Sequence, residues 1–239
     1  MSPAGDSVRG LRVYYGGTFD PVHNGHLAVA RHVSEVLDAD LWLVPAHDPP
    51  HKGPTHADAA QRAAMLELAV AGQPRLAVDR RELGRDGPSY TVDSLGELRA
   101  ELGEAAPVAW LIGADSLLQL ASWHRWRELF DRGHVIAVQR PGAPLDAAVL
   151  RRRAPEVLAE ISDRWLPPTT LAGTAHGGFA LLPMPAQLPE SSTELRRRIH
   201  SSEPWQDWVP AQVAAYIVRH GLYREPAAIL SAPSSSPRP

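Results

Sequence analysis

The stretch that most narrows the folds open to this chain is the eleven-residue string Gly16-Gly-Thr-Phe-Asp-Pro-Val-His-Asn-Gly-His26. A short apolar run, Leu11 to Tyr15, precedes it, and from Leu27 to Leu37 apolar residues recur at helical spacing. The order is therefore strand, glycine turn, histidine pair, helix. That arrangement gathers backbone N–H groups and the positive end of a helix dipole at one point, which suits phosphate. The string is not a P-loop, because G-x-x-x-x-G-K-[ST] occurs nowhere in the chain, and it is not a G-x-G-x-x-G dinucleotide fingerprint.

The same alternation continues downstream. Strands are predicted at 11–15, 41–45, 76–78, 108–112, 134–138 and 179–182, and helices at 25–37, 58–71, 91–102, 115–120, 145–161, 192–200 and 210–220. Strands separated by helices imply βαβ units and an α/β fold, a Rossmann-like doubly wound parallel sheet. The unbroken apolar run Val108-Ala-Trp-Leu-Ile112 fits a central buried strand. Ligands bind beyond the carboxyl ends of such strands, at a switch point, so Gly16, Gly17 and Gly113 should meet there. Residues 163–178 read as a long loop. Residues 1–224 read as a single domain with the 210–220 helix on its edge, and the proline- and serine-rich 225–239 as a disordered tail.

At 239 residues the chain has ample length for a core. Its formal net charge of −3 gives no global basic field for nucleic acid, so an anionic substrate has to meet a locally basic site. The absence of cysteine excludes disulfides and thiolate chemistry. No apolar run is long enough to span a bilayer, and the first ten residues lack the apolar core of a signal peptide. The expected location is the cytoplasm.

The string from Gly16 to His26 resembles the His-x-Gly-His signature of the nucleotidyltransferase superfamily. Within it, Gly-Gly-Thr-Phe-Asp-Pro-Val-His-x-Gly-His is most similar to the bacterial nicotinate-mononucleotide adenylyltransferases, over most of residues 11–224. A related phosphopantetheine branch typically has threonine in place of His23. The resemblance implies a nucleotidyltransferase-type fold and adenylyl transfer from ATP to nicotinate mononucleotide, with release of pyrophosphate. It implies Mg²⁺ as cofactor, small-molecule partners only, and neither nucleic acid nor membrane.

The implied roles can be weighed against plainer ones. His23 and His26 would contact the triphosphate, with His26 stabilising the transition state; the plain alternative is a helix cap. Metal ligation by His23, His26, His47 and His51 is a third reading, but no separate metal motif supports it. Gly16, Gly17 and Gly25 would allow close approach of a ligand, or merely build a turn. Thr18 and Asp20 would border the nucleotide, Asp20 its metal as well, although Asp20 could equally cap the turn that follows. In Ser191-Ser-Thr-Glu-Leu-Arg196, Ser191, Thr193 and Arg196 match a family Ile-Ser-x-Thr-x-Ile-Arg motif facing the ATP phosphates. Glu190 and Leu195 depart from that motif, and Ser191 with Glu194 also reads as a capping box. Gly113-Ala-Asp115-Ser-Leu would place Asp115 near ribose hydroxyls, or simply start a helix.

The acceptor side is implied by Pro88-Ser-Tyr-Thr91 and Ala121-Ser-Trp-His124. Trp123 offers a face for a pyridine ring, while Trp126, three residues on along a helix, suits the core. Tyr90 and Thr91 offer donors at a helix start, suited to a carboxylate. The family often has tyrosine where this chain has His124, which adds a donor or a positive charge. Lys52, in Asp48-Pro-Pro-His51-Lys52, would reach substrate phosphates, and Arg140 the adenine side. The competing functions are transfer to another acceptor, a nucleotide-binding regulator without catalysis, and a metal-dependent hydrolase.

Overall fold

The computed structural model describes residues 10–47, 55–85, 87–139, 141, 145–186 and 189–224. Each predicted apolar run forms a strand: β1 (Arg12–Gly17), β2 (Asp40–Pro45), β3 (Leu76–Val78), β4 (Val108–Gly113), β5 (His134–Gln139) and β6 (Phe179–Pro183). All pairings are parallel, in the order β3-β2-β1-β4-β5-β6. This is the doubly wound arrangement, and its order reverses between β1 and β4.

Between the strands lie α1 (Asn24–Leu37), α2 (Ala59–Val70), α3 (Thr91–Leu102), α4 (Ala114–Leu118), α5 (Leu129–Arg132), α6 (Ala147–Arg153), α7 (Pro155–Ile161), α8 (Ser192–His200) and α9 (Ala211–His220). Alternate strand residues feed two cores. Val13, Leu41, Leu43 and Leu111 pack with Leu27, Met65, Leu195 and Ile217 on one face. Tyr14, Trp110, Ile112 and Val135 pack with Leu95, Phe130, Leu150 and Val157 on the other. Covering both faces explains why the central strands read as continuous apolar runs. Helix α9 lies against α2, which covers β2 and β3 at that edge of the sheet.

Three predicted elements are corrected. The 145–161 helix is two helices, because Pro155 disfavours helical geometry at the preceding residue and supplies no N–H. Ala154 accordingly sits at φ −149°, ψ 60°. The 163–178 loop contains a 3-10 helix, Pro168–Gly173, and a bridge from Trp165 to Phe179 that covers part of the β6 edge. Trp123 and Trp126 do not share a helix: Trp123 ends one 3-10 turn and Trp126 begins the next. Among the described residues no helix is long and apolar enough to cross a membrane.

Candidate active site

Where β1 and β4 diverge, a cleft of about 800 Å³ opens beyond their carboxyl ends. Gly16, Gly17 and Gly113 all line it, as the topology requires. The glycine pair closes β1 instead of forming the turn. A Cβ on Gly16 would collide with the Trp110 indole, and one on Gly17 would lie 2.8 Å from the Phe19 ring. The left-handed residue of the turn is Phe19, at φ 50°, followed by a cis Asp20–Pro21 peptide. The glycines are thus fixed by aromatic packing.

The turn delivers the two histidines to the start of α1. His23 is the N-cap residue, and its backbone N–H donates to Nδ1 of His26 at 3.3 Å. The rings stack with centroids 3.7 Å apart. Gly25 is needed here, since a Cβ would lie 3.0 Å from His23 Nδ1. The structure makes the pair unequal: His26 lines the cleft, whereas His23 and Gly25 are buried. With Nδ1 accepting a hydrogen bond, neutral His26 carries its proton on Nε2. Capping and function are therefore compatible, because each uses a different ring nitrogen.

Thr18 and Asp20 line the same wall, but Asp20 does not cap the turn that follows it. Its Oδ2 accepts from the His56 N–H at 2.8 Å, and its Oδ1 from the Ala57 N–H at 3.1 Å and the Tyr223 hydroxyl at 2.9 Å. The Thr18 carbonyl accepts from Arg62 at 2.7 Å. Arg62 is fully buried and also donates to the carbonyls of His47 and Ala57. Burial pulls its pKa down, against the opposing pull of the Asp20 carboxylate. Three chain segments at the mouth thus share one guanidinium. The sequence signal for Arg62 is its place on the buried face of α2, three and four residues before Met65 and Leu66.

Helix α8 faces this turn. Ser191 is its N-cap, with Oγ accepting from the Glu194 N–H at 3.2 Å, and it does not line the cleft. The capping box is only half formed, because the Glu194 carboxylate binds Arg197 and Arg198. Those two guanidiniums hold the Glu194 pKa down, to about 2. Ser192, which the motif comparison passed over, donates to the Pro21 carbonyl at 2.9 Å and lines the cleft with Thr193 and Arg196. Arg196 Nη1 donates to the Asp20 carbonyl at 2.5 Å. Glu190 brings its carbonyl to 3.5 Å from the Cβ position on Gly25, so the residue at this departure from the motif packs against the histidine turn.

The opposite wall is built from β4 and α3. Gly113 is the N-cap residue of α4, and no atom lies within 4 Å of its Cβ position. Asp115 follows in the first turn of α4, on the cleft surface. Tyr90 precedes α3, Thr91 opens it, and both line the cleft with Trp123 and His124. The Tyr90 and His124 rings stack, with centroids 4.3 Å apart. Trp126, by contrast, is buried in the core. Lys52, with the rest of 48–54, and Arg140 lie outside the described residues.

Trp110 and Glu82 are among the further lining residues that the sequence reading did not pick out. Trp110, part of an in-register row with Tyr14 and Trp42, lines the cleft at β4. Glu82 is buried beneath the 88–91 segment and accepts from Ser94 Oγ at 2.6 Å. Burial pushes its carboxyl above the usual range, against the Ser94 and Ser89 hydroxyls that favour the ionised form. Ser89 in turn accepts from the His47 N–H at 2.9 Å. No periodicity marks Glu82, which sits in an isolated 3-10 turn.

One wall of this cleft carries an imidazole, an arginine and hydroxyls, groups suited to a polyanion, and the other carries aromatic side chains, suited to a flat ring. An α/β nucleotidyltransferase needs both. The chain belongs to the cytidylyltransferase-like family, which matches residues 14–198. It is 45% identical over 222 residues to the probable nicotinate-nucleotide adenylyltransferase of Stenotrophomonas maltophilia (strain K279a), covering 90% of this chain and 98% of that one. It is 41% identical over 224 residues to the protein of the same description from Yersinia pestis (strain Pestoides F), covering 93% and 99%. In fold it is similar to Plasmodium falciparum nicotinic acid mononucleotide adenylyltransferase complexed with NaAD. The TM-score there is 0.68 at 17% identity, with 90% of this chain and 97% of that one covered.

Proposed function

We propose that this chain transfers the adenylyl group of ATP to nicotinate mononucleotide, giving nicotinate adenine dinucleotide and pyrophosphate, a step of NAD biosynthesis. The carrying observation is the two-sided cleft, with His26 and Arg196 on one wall and Tyr90, Thr91, Trp123 and His124 on the other. The activity of relatives aligned over nine-tenths of the chain supports the same reading. On this reading residues 1–224 act as one nucleotidyltransferase unit.

The acceptor's phosphate oxygen attacks the α-phosphorus of ATP. The bond to the β-phosphate bridging oxygen breaks, and pyrophosphate leaves with that electron pair. No covalent enzyme intermediate forms. The protein supplies in-line positioning and charge stabilisation. His26 Nε2–H donates to the oxygens that gain charge at the α-phosphate, with Arg196 and the Thr193 hydroxyl alongside. Gly113 keeps a side chain out of the ligand's path, Gly16 and Gly17 hold the β1 end against Trp110 and Phe19, and Asp115 accepts from ribose hydroxyls. Trp123 stacks on the pyridine ring, while the N–H groups at the start of α3 face its carboxylate.

Mg²⁺, which the nucleotide's phosphates would carry into the cleft, would shield their charge. Among the described residues no group of three or more His, Asp or Glu side chains is placed to hold a metal by itself. The Asp20 oxygens are engaged by N–H and O–H donors, which suits a metal carried chiefly by phosphate and water.

The test is pyrophosphate release from Mg-ATP with nicotinate mononucleotide, nicotinamide mononucleotide or phosphopantetheine in parallel. Release with the nicotinate compound alone is expected. Release only with another acceptor would overturn the assignment of Tyr90, Thr91 and Trp123, and silence with all three in a protein that binds ATP would leave a nucleotide-binding regulator.

A further inference from the structure

Beyond α9 the chain turns at Gly221 (φ 61°), buries Leu222 and brings Tyr223 (φ 64°) back to the phosphate-facing wall of the cleft. There the Tyr223 hydroxyl meets Asp20 Oδ1 at 2.9 Å. Together with the His56 and Ala57 N–H groups, it makes three donors on one carboxylate, which has room for about four. Two guanidiniums and one imidazole also face Asp20. Arg62 is immobilised by three carbonyls, and the His56 ring lies 3.4 Å from Oδ2. Arg196 is the guanidinium that also lines the cleft: its Nη1 donates to the Asp20 carbonyl at 2.5 Å and stays 4.0 Å from Oδ2.

We propose that Tyr223 is a positioning residue for ATP, whose hydroxyl occupies Asp20 and so keeps Arg196 directed at the cleft. Without that donor, one lone pair of a buried carboxylate loses its partner beside the Arg196 guanidinium, and the 4.0 Å contact closes into a direct ion pair. Arg196 is then withdrawn from the phosphates. The phenol is well suited to the task. Burial, reinforced by Asp20, raises its pKa well above the ordinary value, so it remains a donor throughout the working pH range.

The inference rests on the proposed binding of ATP in this cleft, so its test measures ATP binding directly, without acceptor. Tyr223→Phe keeps the ring and its packing and removes only the hydroxyl. We expect the ATP dissociation constant to rise about tenfold, the size of one hydrogen bond to a charged group. The KM for the acceptor should remain within about twofold, since that wall is built from other elements. In an Arg196→Ala background the same substitution should have no further effect on ATP, because the two residues act in series. Equal ATP affinity in wild type and Tyr223→Phe would overturn this inference alone. So would effects of Tyr223→Phe and Arg196→Ala that simply add. Failure of the wild-type protein to bind ATP would overturn both this inference and the proposed function.

Discussion

His23 and His26 are joined by a hydrogen bond from the backbone N–H of the first to Nδ1 of the second, 3.3 Å long, with the rings stacked at 3.7 Å. The bond fixes the neutral His26 tautomer: Nδ1 holds the start of α1, and the proton sits on Nε2, the nitrogen proposed above to face the phosphates. Asparagine can imitate Nδ1 with its carbonyl oxygen but does not reach the Nε2 position. His26→Asn should therefore keep stability within about 1 kcal/mol of wild type. Its turnover should fall about 10²- to 10³-fold, as when one transition-state donor is lost. Chemical denaturation alongside steady-state kinetics checks both. Turnover close to wild type in a folded His26→Asn protein would remove His26 from the chemistry.

The two tryptophans after β4 separate in the same manner. Trp123 lies on the cleft surface, whereas Trp126 is 5% exposed, in the core, with the Arg127 guanidinium 4.4 Å over its ring. Trp123→Ala should raise the KM for the mononucleotide and leave the unfolding midpoint nearly unchanged. Trp126→Ala should cost about 3–5 kcal/mol of stability, the usual loss for truncating a large buried ring. An unchanged KM in Trp123→Ala would take that residue out of the acceptor pocket.

The strands were legible because each is a short apolar run, mostly bounded by glycine, proline or polar residues, and all six lie within a residue or two of their predicted limits. The broken 145–161 helix was also legible in principle, since Pro155 stands in the middle of it. In the site, the string from Gly16 to His26 carried its local order openly, but the reason for its glycines did not show. Gly16 answers to Trp110, nearly a hundred residues away, through strand register. Asp20 meets His56, Ala57 and Tyr223, and Tyr90 meets His124, through tertiary contacts that leave no local pattern. What sequence conveys is the periodicity of an element and the chemistry of a contiguous string. Which charges neutralise which is decided by packing.

His134 makes stability depend on pH at the far end of the sheet from the cleft. It is fully buried in β5, where Nδ1 accepts from the Gly178 N–H at 2.9 Å and Nε2 pairs with the Thr174 carbonyl at 2.8 Å. Burial lowers its pKa below 6.5, with His176 and Arg99 adding repulsion and the Thr174 bond opposing. Above the unfolded value both states are neutral and the contribution is complete. As pH falls below about 6.5 the unfolded chain takes up a proton that the folded chain refuses, so stability drops until the folded pKa is reached. One such group contributes at most about 1.4 kcal/mol per pH unit. Urea unfolding at pH 7.5, 6.5 and 5.5 should show this decline, with a shallower slope in His134→Gln. Equal slopes would assign the dependence to other groups.

Gly113 gives a test of ligand placement that the empty protein does not confound. Its φ is −78°, a value open to any residue, and no atom lies within 4 Å of its Cβ position. Neither backbone strain nor packing within the chain calls for glycine at this point. Gly113→Ala should therefore leave the unfolding midpoint where it is, or raise it slightly by restricting the unfolded chain. If the nucleotide crosses the end of β4, the added methyl meets it, and the KM values for ATP and the mononucleotide should rise about tenfold or more, as when a well-packed contact is overfilled. Gly16→Ala is the contrasting variant, because its methyl displaces the Trp110 ring and should lower stability with or without substrate. Steady-state kinetics and thermal unfolding of both proteins separate the two cases. Unaltered kinetics in Gly113→Ala would place the ligand away from the end of β4 and confine it to the β1 side of the cleft.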